Sequence, residues 1–339
     1  MNDGQRPLVG ITLGDPAGVG PEITLRALGE RDIYEVARPL VVGDRMALER
    51  ASAALGLPIA INEVAKPAGG RFELGTIDLL DVGSPDLAGL EWGKVQPPAG
   101  RAAMRYVETA TRLALAGEIE AIATAPLNKE AMMLGGVPYL DHTTALAKLT
   151  NSPNTLTMFT VRNLRIFFMA RHMSMRDACN EVTKENVAST LVKSHKALTR
   201  FGEPSAKIAV AALNPHGGEH GMFGSEEIDE IAPGVELARA EGVDAFGPIP
   251  GDAVFHQCLQ GRWDAVISLH HDQGHIAAKT LDFERTIAIT VGLPFIRASV
   301  DHGTAFDIAG TGVANFAGMA ESIRLAAKYA LLVRDKAAA

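Results

Sequence analysis

The chain has 339 residues, which at roughly 150 residues per domain predicts about two domains. Its 32 Lys and Arg stand against 40 Asp and Glu, a formal charge of −8 without acidic or basic blocks, so no nucleic-acid partner is expected. The longest apolar runs, such as Ile208 to Leu213, fall far short of the ~18 residues of a membrane span, so no membrane partner is expected either.

The opening MNDGQRPLVG lacks a basic-then-apolar leader, and Cys179 and Cys258 form no CxxC and no disulfide framework. Both features predict a cytoplasmic protein with incidental thiols. In chain order, a strand over 8–13 leads into a helix over 21–28, with Pro21 suited to a first turn. Strands follow over 39–42 and 77–82, a helix over 102–116, and strands over 119–124, 156–161 and 164–170. A helix over 186–198, a strand over 208–213 and a helix over 228–240 come next, the last with Ser225-Glu226-Glu227 as cap and first-turn acids. Strands over 265–269 and 286–291 and a helix over 319–333 complete the series. Continuous rather than alternating apolar strands predict an α/β fold whose sheet is covered on both faces.

The run Gly14-Asp15-Pro16-Ala17-Gly18-Val19-Gly20-Pro21-Glu22 follows the first strand, but its glycines do not fall in the G-x-G-x-x-G order of a dinucleotide loop. A tight structural or cleft-lining turn is the expectation there. Among ten histidines, His195 and His256 sit in ordinary helical surroundings. The run His270-His271-Asp272-Gln273-Gly274-His275 follows an apolar strand, where imidazole and carboxylate can ligate a divalent cation. Local spacing leaves a metal site and a structural cluster equally open: His271 and His275 are four apart, but no HExxH accompanies them and Gly274 argues against a settled helix. Lys279, Arg297 and the loop Asn214 to Glu219 place further polar groups at strand ends, suited to an anionic substrate and a proton transfer. GxSxG, GxxxxGK[ST] and cysteine-nucleophile signatures are missing from the sequence.

Six segments in one order carry a resemblance: Gly14 to Glu22, Thr124 to Glu130, His142-Thr143, Leu213 to His216, His271 to Gly274, and Gly292 to Ala305. Together they resemble the 4-hydroxythreonine-4-phosphate dehydrogenase family over nearly the whole chain. The resemblance implies a homodimer of two-domain α/β/α subunits, isocitrate/isopropylmalate dehydrogenase-like, with an active site in an interdomain cleft completed across the dimer interface. It implies a first, discontinuous domain of 1–145 plus 300–339 and a second of 146–299. His172, His216 and His271 match the family's metal ligands, and His142, Thr143, Lys279 and Arg297 its substrate contacts, with Lys279 and Asp272 as catalytic candidates. His275 is then a neighbour of the metal rather than a ligand. Zinc suits three neutral imidazoles with an open position, with Mg, Mn or Co as alternatives.

The segment 301–315 also resembles the nucleotide loop of the decarboxylating dehydrogenases of isopropylmalate and isocitrate. That likeness implies NAD held by His302, Gly303, Thr304, Ala305, Asp307 and Asn315. A carboxylate at Asp307 accepts from a ribose diol and repels a 2′-phosphate, favouring NAD over NADP. Two departures stand out: Ala288 replaces the family's substrate-contacting asparagine, and Asp141 and Thr144 flank His142-Thr143 where glycine and glutamate are common. The expected activity is a metal-dependent, NAD-linked oxidation of a secondary alcohol with decarboxylation of a small anionic substrate, 4-hydroxythreonine-4-phosphate dehydrogenase-like. Terephthalate 1,2-cis-dihydrodiol dehydrogenase and four-carbon sugar-acid phosphate dehydrogenase are the alternatives, and a non-catalytic ligand-binding homologue is the remote one.

Overall fold

The computed structural model describes residues 6–338; residues 1–5, half of the stretch read above for a leader, and residue 339 lie outside the described residues. The strands are β1 (Leu8–Thr12), β2 (Arg38–Gly43), β3 (Ala60–Glu63), β4 (Thr76–Asp81), β5 (Ala121–Thr124), β6 (Leu156–Val161), β7 (Leu164–Phe168), β8 (Ile208–Ala211), β9 (Ala245–Ile249), β10 (Ala265–Ser268), β11 (Ile287–Val291) and β12 (Ile296–Val300). With the helices between them they make a mixed α/β fold. Contacts divide the chain into two units: one runs to Thr155 and resumes over Leu293–Arg334, and the other takes Leu156–Gly292 and the chain's end from Asp335.

In the first unit the strand order is β3-β4-β2-β1-β5-β12, and every pairing is parallel. Consecutive residues of β1, β5 and β12 are all buried, so side chains pointing to both faces of the sheet are covered. The helix Pro97–Leu115 lays Met104, Val107 and Ala110 against Leu8, Leu40, Val42 and Ile122. Parallel strands bring their carboxyl ends to one edge, where Asp15, Asp44, Ser84 and Thr124 follow or end the strands.

In the second unit the order is β11-β6-β7-β10-β8-β9, with β11, β6 and β7 antiparallel and the rest parallel. Its core gathers Phe159, Ile166, Phe168, Val254, Trp263 and Val266. Among the described residues no helix is long and apolar enough to cross a membrane.

Several expectations are corrected by this structure. Strands β3, β9 and β12 were not foreseen, because Ala-Ile-Asn-Glu is short and half exposed, β9 contains Gly247-Pro248, and β12 carries a buried arginine. The chain leaves the first unit at Thr155 rather than after 145, and returns at Leu293 rather than at 300. The reason is that the helix His142–Leu149 brings Ala145 and Leu146 into the core of the first unit, and β12 pairs with β5. Ser225 contributes no side-chain cap; the turn Glu227–Ile231 is a π-helix, and the helix Ala232–Ala240 continues from it. Finally, Gly274 does not break the helix His271–Leu281.

Candidate active site

The run after β10 divides its labour residue by residue. His270 is the N-cap of the helix, its Nδ1 accepting the Gln273 amide at 3.4 Å. Gln273 ties the helix start to two strand ends: its Nε2 donates to the Ala212 carbonyl at 2.8 Å and its Oε1 accepts from the Leu269 amide at 2.9 Å. Gly274 is buried so tightly that an added Cβ would lie 2.5 Å from Phe168 Cε1, which is why a glycine sits inside a helix here.

His271, half exposed, donates from Nδ1 to Asp272 Oδ1 at 2.6 Å. That bond fixes the tautomer, leaves Nε2 as the free electron-pair donor, and holds the Asp272 carboxyl below its ordinary range. His275 stacks on the His271 ring at 3.6 Å with 11° between planes, its Nδ1 against the His271 carbonyl at 2.8 Å. Its far side meets the rings of Phe159 and Phe168 at 4.5 and 4.6 Å. Lys279 follows His271 and His275 at four-residue steps, with its Nζ 5.1 Å from the Phe283 ring centre.

His172 lies in the exposed loop after β7, its ring centre 6.3 Å from that of His271. His216 opens a left-handed stretch, φ 54°, which continues through His220. The loop keeps this unfavourable conformation because the buried Glu227 grips its base. Glu227 Oε1 accepts the Leu213 and Asn214 amides at 2.8 and 2.7 Å, and Oε2 accepts Asn214 Nδ2 at 2.9 Å. Among the described residues of one chain, no three His, Cys, Asp or Glu side chains gather into a group that could hold a metal ion. Of the expected triad, His172 and His271 are neighbours within one chain, and imidazole has the donor chemistry a divalent ion requires, while His216 lies on the loop after β8.

The first unit gathers the other polar residues. Arg297, on β12 and buried, donates from Nε and Nη2 to Thr124 Oγ1 at 3.1 and 2.8 Å. His142 begins the helix His142–Leu149 and is buried with its Nε2 lacking a hydrogen-bond partner. Burial first, and the Arg297 charge second, push its imidazole well below the ordinary histidine range, so it is neutral at pH 7. Thr143 beside it is half buried. Asp141 and Thr144 form a reciprocal capping box: Asp141 Oδ1 accepts the Thr144 amide at 2.8 Å, and Thr144 Oγ1 accepts the Asp141 amide at 3.1 Å. Asp141 and Thr144 thus fix the start of the helix that carries His142.

The segment 301–315 is partly open. His302, Gly303, Asp307 and Asn315 are exposed, Thr304 is buried, and Ala305 takes φ 42°. A Cβ at Gly303 would meet nothing within 4 Å, leaving room for close approach to the backbone. His302 Nδ1 lies 2.9 Å from the Gly303 carbonyl, and Asn315 Oδ1 accepts the Ala317 amide at 2.8 Å as the next helix begins.

The chain matches the family described as "Pyridoxal phosphate biosynthetic protein PdxA" over residues 35–326. It belongs to the PdxA family. A PdxA relative from Halalkalibacterium halodurans, provisionally named D-threonate 4-phosphate dehydrogenase, is 50% identical over 326 residues, covering 96% of this chain and 98% of its own. The crystal structure of 4-hydroxythreonine-4-phosphate dehydrogenase from Klebsiella pneumoniae shares 43% identity with a TM-score of 0.90, covering 96% of this chain and 98% of its own. A terephthalate 1,2-cis-dihydrodiol dehydrogenase from Burkholderia xenovorans LB400 is more distant, at 27% identity and a TM-score of 0.65, with 95% and 98% covered. The PdxA relatives are dehydrogenases by name, and this chain is an oxidoreductase of the same kind.

Within the PdxA fold, sequence reasoning gave Thr124 no role beyond a strand end and the start of a family-like segment, and Glu227 none beyond a first-turn acid; neither position carries a local signal for a partner more than ten residues away. Ala288, the other departure, pairs with Phe159 in the β11–β6 ladder and packs on the apolar cluster of Phe159 and Phe168.

Proposed function

We propose that this PdxA-family chain is a metal-dependent, NAD-linked dehydrogenase that oxidises the secondary alcohol of a small four-carbon phosphorylated hydroxy acid, with decarboxylation. The observation that carries this reading is the buried Arg297, oriented by Thr124 beside a buried neutral His142 with an unpartnered Nε2. A guanidinium fork and an imidazole with an unused hydrogen-bonding position suit a phosphate or carboxylate, and burial excludes the water that would compete for it. D-threonate 4-phosphate and 4-hydroxythreonine 4-phosphate both present such an anion.

His172 and His271 would hold a divalent ion, zinc first, with the ligand set including His216 completed across a homodimer interface, and 302–305, Asp307 and Asn315 would hold NAD. When bound, the ion acidifies the substrate alcohol and NAD accepts the hydride. Asp272 keeps His271 in the tautomer that presents Nε2. Lys279 takes the hydroxyl proton as the ketone forms and, once the carboxylate has left as CO2, returns a proton to the carbon. Arg297, His142 and Thr143 keep the anionic end in place through both steps. The two-domain architecture of the isocitrate and isopropylmalate dehydrogenases is part of the same proposal.

The test is NADH absorbance from the purified chain with NAD, zinc or another divalent metal, and each candidate substrate in turn. D-threonate, D-erythronate and 4-hydroxythreonine 4-phosphates are expected to support turnover. NADH formation from terephthalate dihydrodiol alone would favour the second reading, which draws on the lost amide at Ala288; no NADH from any of them would overturn both.

A further inference from the structure

The chemistry above leaves unused the run Gly14 to Glu22, although the sequence marks it plainly. Its helix, Gly20–Ala27, is built against the proposed cofactor loop at successive points. The Val19 amide donates to the Thr304 carbonyl at 3.0 Å. At Gly18 an added Cβ would lie 2.9 Å from the Thr304 carbonyl oxygen, so only glycine lets the loop come this close. Glu22 is fully buried and spreads its two carboxylate oxygens over two loop amides: Oε1 accepts from Gly310, and Oε2 accepts from Gly312 at 2.9 Å. One helical turn later, Arg26 Nη1 donates to the carbonyls of Gly312 and Ala314 at 3.1 and 2.9 Å, with its guanidinium 4.6 Å from the Phe316 ring centre.

An acceptor at 22 and a donor at 26 thus share one side of the helix and match, in order, amides and carbonyls of a loop nearly three hundred residues away. Gly310 and Gly312 have φ of 82° and 74°, one of several conformations open to glycine at little steric cost, so the bonds from Glu22 select it from many. A loop released from these bonds must be ordered again whenever a ligand binds. Ordering a single backbone residue at binding weakens affinity by roughly ten-fold.

We propose that Glu22 and Arg26 are positioning residues for the cofactor: they hold 304–316 in the shape that presents Asp307 and the open backbone at Gly303 to NAD. This rests on the NAD reading of that loop. The experiment measures NAD affinity of the full chain by calorimetry and amide hydrogen exchange by peptide, in wild type, Glu22→Ala and Glu22→Gln. Glu22→Ala is expected to weaken NAD binding about ten-fold or more and to speed exchange in 304–316 while the remaining peptides keep wild-type protection. Glu22→Gln, which retains one acceptor oxygen, is expected to fall between, and it decides the matter if the alanine variant does not fold. With a substrate that turns over, KM for NAD rises while kcat at saturating NAD stays within about three-fold. NAD affinity within two-fold of wild type, or faster exchange spread throughout the chain, would overturn the inference. Failure of the wild type itself to bind NAD would instead remove the cofactor reading on which it stands.

Discussion

Asp15 is fully buried at the carboxyl end of β1, with Oδ1 accepting the Ala17 amide at 2.8 Å and Oδ2 without a hydrogen-bond partner. Burial outweighs the amide bond and pushes its carboxyl from 3.8 up to about 6. The sign of the consequence follows from linkage. Below pH 4 the carboxyl is protonated in folded and unfolded chains alike and carries no penalty. Between pH 4 and 6 the unfolded chain ionises first, so wild-type stability falls by about 1.4 kcal/mol per pH unit. Above pH 6 both states are ionised and the penalty levels off at about 3 kcal/mol. Asp15→Asn keeps the Oδ1 acceptor for Ala17 and cannot ionise. Like a protonated carboxyl it offers one acceptor and a donor, so the two proteins are expected to be level at pH 4 and the variant more stable at pH 8. Spread over a chain of this length, about 3 kcal/mol corresponds to a rise in Tm of about 4 °C. Denaturation followed by circular dichroism at half-unit steps from pH 4 to 8 gives the difference directly. A difference between the two proteins that does not change with pH would refute the buried-carboxyl argument.

Further outcomes follow from the site. Arg297→Lys loses the paired bonds to Thr124 and the planar fork, so KM for an anionic substrate is expected to rise ten-fold or more; steady-state kinetics showing an unchanged KM would remove Arg297 from the anion site. Asp272→Ala frees the His271 tautomer and is expected to weaken zinc binding by 10- to 100-fold in a chelator competition, whereas equal affinity would deny His271 a ligand role. Gly274→Ala drives a Cβ to 2.5 Å from Phe168 and 2.9 Å from Ser268 Oγ, an overpacking worth about 1–3 kcal/mol in urea denaturation. By imidazole NMR, His142 is expected to titrate well below 6.5, and a midpoint at its ordinary value would mean the ring is solvated.

The fold was legible where strands are buried on both faces, because such strands write themselves as uninterrupted apolar runs: β1, β5, β8 and β10 all do. Legibility failed where tertiary pairing overrides local preference. Strand β12 is paired along β5 and holds an arginine that donates to a threonine more than a hundred and seventy positions earlier, a partner that periodicity cannot indicate. The Gly274 helix failed for a related reason. Glycine lowers helix propensity by about 1 kcal/mol, but the absent side chain is what allows the helix to lie against Phe168, and packing of that kind exceeds the propensity term.

The site divides along the same line. A side chain that acts through its own neighbour could be read: His271, with the Asp272 carboxylate one residue away to fix its tautomer, is set by local geometry, whereas the stacking of His275 one turn on depends on the helix through Gly274. Side chains that act by shaping a distant backbone could not. Glu227 holds the His216 loop and Glu22 holds the loop at 310–312, and in both cases a buried carboxylate is satisfied by amides rather than by a cation. Such a carboxylate looks like any helix-start acid in the sequence, since its partners are main-chain groups present at every position. What distinguishes it is burial without a charged partner, which is tolerable only when several N–H donors converge on it. A buried acid bound to loop amides is therefore a structural signature of a backbone held in one shape: Asp78 does this for Arg71 and Phe72 away from the site, while Glu227 and Glu22 grip segments that carry candidate ligands.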